Sequence, residues 1–87
     1  MEQLISEIRL EFHIPPYFAD EGIQNFILEG KARLDFLNPG RDYEQDLIYR
    51  HLLKNYVYYA YHHITHEWER NYADMIRSWM LGSEVLA

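Results

Sequence analysis

The chain reads as an all-α protein, a small bundle of three to four helices with one long, aromatic-rich third helix. Three observations predict this. Apolar residues recur at helical spacing in successive stretches. Two breaker clusters, His13-Ile14-Pro15-Pro16 and Asn38-Pro39-Gly40-Arg41, divide those stretches. Beyond the second, Asp42 to Glu69 contains no glycine or proline and carries four tyrosines between Tyr56 and Tyr61. As one helix that stretch would be about 40 Å long at about 1.5 Å per residue. A chain this short does not need such a length to close a core, so part of its surface is expected to serve something else.

The first helix is expected over Met1 to Phe12, with Leu4, Ile5, Ile8 and Phe12 on one face and Glu2, Glu7, Arg9 and Glu11 on the wet side. Pro15-Pro16 stops it, because proline lacks the N–H donor and pushes the preceding residue out of the α region. Asp20 is the expected N-cap of a second helix reaching Leu37. Its stripe is Ile23, Phe26, Ile27, Gly30, Leu34 and Leu37. Glycine inside a helix costs about 1 kcal/mol against alanine, so Gly30 predicts the close approach of another helix. Asn38-Pro39-Gly40-Arg41 has proline and glycine where a type II turn prefers them.

Asp42 with Gln45 three residues on forms a capping-box pattern, which sets the expected start of the third helix. On a helical wheel, Tyr49, Leu53, Tyr56, Val57, Ala60, Ile64 and Trp68 share one arc, the predicted core face. Leu47 and Tyr58 point nearly the opposite way, and Ile48 and Tyr59 lie on a flank. These four want either another helix of the same chain or a neighbouring subunit. Past Glu69 the stripe continues as Tyr72, Met75, Ile76 and Trp79, rotated by roughly 60°. That rotation predicts a break near Asn71 and a short fourth helix, with Gly82 as its C′ residue and Ser83 to Ala87 as a frayed tail.

The totals narrow the function classes. Eighty-seven residues make one domain spanning 1–87, and a domain this size buries only about 60 to 65% of its unfolded surface. Aromatic residues at 16% exceed what one small core uses and favour burial between chains as well. With no cysteine, disulfides and thiolate metal sites are excluded. No signal peptide or membrane-length apolar run is visible, and the expectation is a soluble, intracellular protein. Net charge is −6, and residues 1–46 carry ten acidic against four basic side chains. That balance argues against binding the phosphate backbone of nucleic acid.

Chemistry is sparse. His62 and His66 stand four apart, a spacing used by zinc helices, but Arg70 occupies the place where a metalloprotease needs its second histidine. They are weak metal candidates, and solvated surface histidines are the preferred reading. No nucleophile context, phosphate loop or redox motif is present, so neither an enzyme nor a cofactor is expected. Trp79, Met80 and Leu81 are expected to pack in the core or to dock on a partner.

The ordered pattern resembles the small head–tail connector (adaptor) proteins of tailed bacteriophages and prophages. The resemblance lies in a short first helix, an acidic turn at Asp20-Glu21 opening IQNFILEGKARLDFL, a brief NPG turn, the aromatic helix LIYRHLLKNYVYYAYHHITHEWERNY and the amphipathic end ADMIRSWMLGSEV. Tyr56 to Tyr61, Trp68-Glu69 and Asn71-Tyr72 match its aromatic-acidic and Asn-aromatic steps, and the His62-His63 pair departs from it. The resemblance implies a structural subunit forming a homo-oligomeric ring beneath the portal protein, templated by it. It further implies contact with a stopper or tail-completion protein, and DNA passing through the channel without specific binding. The expected location is the host cytoplasm during assembly and then the head–tail junction of the virion. On this reading Ile48, Tyr58 and Tyr59 contribute to the subunit interface, and Trp79 and Met80 contact the core or the portal side. The first alternative is a cytosolic helical adaptor or regulator that binds one protein. The second is a metal-dependent helical enzyme using His62, His66 and Glu67.

Overall fold

The computed structural model describes residues 1–86, with side chains through residue 82, as four helices: α1 (Glu2–Glu11), α2 (Asp20–Leu37), α3 (Leu47–Tyr61) and α4 (Thr65–Leu86). The all-α bundle expected from the periodicity is therefore the fold. α3 is its axis. α2 and α4 run antiparallel to it, as Tyr49 meets Asp35 and Tyr56 meets Glu29, while Trp68 meets Leu52 and Trp79 meets Tyr49. α1 runs parallel to α3, with Glu7 beside Arg50, Glu11 beside Lys54 and Phe12 beside Tyr58.

The predicted core face of α3 packs as expected at Tyr49, Leu53, Tyr56, Val57 and Ala60, and Trp68 of α4 joins them fully buried. Leu52 is also completely buried, because α4 folds back over a flank the wheel left open. Gly30 does admit a close approach: a Cβ there would lie 2.8 Å from Tyr56 Cδ1 and 2.9 Å from Leu53 Cδ1. Gly40 has φ +85°, as the third position of a type II turn requires.

The long third helix is not continuous, and its break falls at His62–Ile64 rather than near Asn71. α3 ends at Tyr61, and His63 adopts φ 60°. The corner is a Schellman motif: Ile64 N–H donates to Tyr59 O at 2.9 Å and His63 N–H to Ala60 O at 3.0 Å. α1 closes with a similar turn, His13 at φ 54° and Ile14 N–H donating to Arg9 O at 3.0 Å. Histidine tolerates the left-handed region better than most side chains, and the isoleucine after each histidine tucks inward. Ile64 thus lies in the corner, half-buried, rather than on a helical stripe. Asn71 sits inside α4, where its Nδ2 donates to Tyr59 Oη at 3.0 Å.

Three helix ends also differ from expectation. Asp20 is the first residue of α2, with Ala19 as the N-cap, and its carboxylate pairs with Arg9 at 2.5 Å instead of capping. Asp42 closes an isolated turn, its carbonyl accepting from Gln45 N–H at 3.1 Å and Asp46 N–H at 2.8 Å. The cap of α3 is Asp46, whose Oδ1 accepts from Ile48 N–H at 2.9 Å and Tyr49 N–H at 3.1 Å. Finally, α4 continues through Gly82 to Leu86, so Gly82 is not a C′ residue. Of the tail expected at Ser83 to Ala87, Ala87 and the side chains of 83–86 lie outside the described residues.

Candidate interaction surface

The core closes without several large apolar side chains. Leu47 is 79% exposed, Ile48 45%, Phe36 85% and Leu81 54%. The helix directions place all four at the same end, where α1 and α3 begin and α2 and α4 finish. Burying such groups is worth roughly 25 cal/mol per Å² of apolar surface, so this end is the candidate contact surface, although Leu10 and Tyr17 are as exposed elsewhere.

Two grooves flank α4 at this end. One, of about 590 Å³, lies between α4 and the start of α3, with Asp42, Leu47, Ile48, Ser78 and Trp79 among its walls. Arg41 reaches into it, and its buried Nε has no hydrogen-bond partner. The other, of about 380 Å³, lies between α2 and α4, lined by Leu37, Ala73, Ile76, Arg77, Met80 and Leu81. Pairs of α4 residues facing the first groove and the second lie roughly 170° apart around the helix, at about 100° per residue. The two grooves therefore open on opposite flanks of the molecule.

Each residue singled out from the sequence has a definite place. Ile48 lies half in the first groove. Tyr58 is half-buried, its ring 4.9 Å from Phe12 of α1 and 4.6 Å from His62. Tyr59 packs on Tyr72 of α4 at 6.0 Å. α1 and α4 thus cover part of the back face of α3. Trp79 is core, its ring edge-on to Tyr49 at 5.7 Å and its Nε1 donating to Asp46 Oδ2 at 2.8 Å. Met80 is half-buried against the same core.

His62 and His66 do not share a helix face, because the corner between them ends α3 and starts α4. Among the described residues, no group of three or more His, Cys, Asp or Glu side chains could hold a metal ion, and no helix is long and apolar enough to cross a membrane.

The electrostatics separate structure from surface. Arg50 clamps Glu7 through two nitrogens and stacks over Tyr43, and Lys54 reaches Glu11 at 2.8 Å. Hydrogen bonding from Arg50 holds the Glu7 carboxyl below its ordinary value against a smaller opposing effect of burial. Arg9 bonds Pro15 O at 2.8 Å and Phe18 O at 2.9 Å besides Asp20, fastening the α1–α2 connector. Arg33 pairs with Glu69 at 2.8 Å. Burial and the carboxylates they donate to raise the phenol pKa values of Tyr49 and Tyr56, the latter pushed up to about 12. By contrast, Asp42 and Glu44 stand exposed near Leu47 and form no ion pair among the described residues, although Arg41 lines the same groove as Asp42. On α4, among the described residues, exposed Arg70 has no ion-pair partner and Arg77 meets only the fully exposed Asp74, at 3.9 Å.

The sequence reading missed Phe36 and the capping role of Asp46. Phe36 was findable, since it lies off the α2 stripe by more than a right angle. Leu81, which the sequence left between core and a docking terminus, is exposed. Comparison with family models, curated proteins and solved structures finds no match for this chain.

Proposed function

We propose that this protein is a structural, ring-forming subunit of the phage head–tail connector type, joining portal to tail and catalysing nothing. The observation that carries the reading is that Leu47, Ile48, Phe36 and Leu81 all stand exposed at one end of a bundle whose core closes without them. A surface of this kind fits repeated contacts with identical neighbours better than it fits a buried substrate. The resemblance of the helix order to connector proteins points the same way. A net charge of −6 agrees with a channel that lets DNA slide.

The test is to mix the protein with a portal protein encoded in the same genome and examine the product by light scattering and negative-stain imaging. A ring on the portal, with the portal's rotational symmetry, is the expected result. Failure to bind the portal, or a stable one-to-one complex with another protein instead, overturns the connector in favour of an adaptor.

A further inference from the structure

The two grooves on opposite flanks of α4 differ in what surrounds them. On one flank Leu47 stands up as an apolar ridge, with Ile48 behind it and the unpaired carboxylates of Asp42 and Glu44 beside it. On the other, the hollow formed by Leu37, Ala73, Ile76 and Met80 is rimmed by Arg77, and the unpaired Arg70 stands one turn before it on α4. Glu69 also borders that hollow, but Arg33 already neutralises it at 2.8 Å. Arg41 on the first flank and Asp74, 3.9 Å from Arg77, on the second offset part of this charge, so one flank offers an apolar projection with a net negative excess and the opposite flank an apolar recess with a net positive one.

We infer that the occupant of the α2–α4 recess is the Leu47 ridge of a second copy of this chain, with Asp42 and Glu44 of one copy facing Arg77 and Arg70 of the next. The inference rests on the connector reading and names the contact that would build its ring. Charge complementarity selects the occupant: the same-on-same alternative sets carboxylate against carboxylate, which like-charge repulsion disfavours. Because ridge and recess are different surfaces on opposite flanks, the contact is heterologous. Each copy leaves one of each free, so addition continues until the rotation closes a ring.

The chain has no cysteine, so engineered thiols report the contact directly. Leu47 and Ala73 are both exposed, and replacing them leaves the core intact. A disulfide forms only where the two Cα atoms come within about 7 Å. The Leu47→Cys and Ala73→Cys variants, mixed with the portal and oxidised, are expected to give mixed dimers much faster than either gives homodimers. The Leu47→Cys/Ala73→Cys chain is expected to give a covalent ladder. Glu44→Lys and Arg77→Glu should each slow the cross-link several-fold, and the two together should restore it.

If a ring forms on the portal but these thiols never join, or Leu47→Cys joins the portal chain instead, the pairing is wrong and the connector reading survives. If the ladder forms and no ring does, the pairing stands and the connector reading falls. If neither forms at high protein concentration, both fall.

Discussion

A methyl group on Gly30 would press against Tyr56 Cδ1 and Leu53 Cδ1, both in fully buried side chains. Tyr56 cannot swing aside, because its hydroxyl is bonded to Glu29. Gly30→Ala removes a helix-propensity cost of about 1 kcal/mol but overpacks the α2–α3 contact, which costs about 1–3 kcal/mol. A net loss of about 1 kcal/mol is expected in urea unfolding, and a gain would show that the helices part freely. This glycine was legible in the sequence because a helix interior gives it no other reason to be there. The left-handed histidines were not. His13 is announced by the prolines that follow it, whereas His63 has no glycine or proline near it to mark a corner.

At the scale of the element, Asp46 joins two helices with one carboxylate. Its Oδ1 caps α3 and its Oδ2 holds the indole of Trp79 on α4. Asp46→Ala is expected to lose the cap, about 1 kcal/mol, and a hydrogen bond to a charged group, about 1.5–3 kcal/mol. Asp46→Ser keeps the cap alone and should lose less. Thermal unfolding of both variants, combined with Trp79→Phe in a double-mutant cycle, measures the link; zero coupling between Asp46 and Trp79 would refute it. Asp42 looked like the cap because Gln45 completes its box, but Asp42 spends its turn before the helix begins. The rotation of the apolar stripe after Glu69 was a true signal of a break. It was placed at Asn71 because asparagine is the commoner left-handed residue, and the three-residue corner eight positions earlier shifts the wheel in the same way.

For the whole molecule, pH acts at both ends of the range. The Glu7 pKa is lowered in the fold from an ordinary 4.5, so its stabilisation is complete above that value and is lost as pH falls through the folded pKa. Tyr49, Tyr56 and Tyr72 are raised from 10.0. Their neutral forms favour the fold, so their contribution is complete below pH 10 and is lost above it, for Tyr56 up to about 12. Melting temperature scanned against pH is expected to fall on both sides. Tyr56→Phe should flatten the alkaline fall, and an unchanged alkaline slope would contradict the assignment. The candidate surface was only half legible because exposure depends on which helices cover which flank. Leu47 and Ile48 stood out on a wheel, whereas the partial cover of Tyr58 by Phe12 and of Tyr59 by Tyr72 depends on how α1 and α4 dock.

The corner at His62–Ile64 also orders the steps by which the chain folds. It joins α3 to α4 through three residues, so their pairing closes a very short loop and costs little chain entropy. α2 reaches α3 across a longer but still local link. α1 alone must be brought back over 43 residues to its ion-pair partners on α3. The hairpin of α3 and α4 is thus the natural nucleus and α1 the last element to arrive. By the same reasoning α1 is the first to leave, and its departure uncovers the core where Leu4, Ile5 and Ile8 pack.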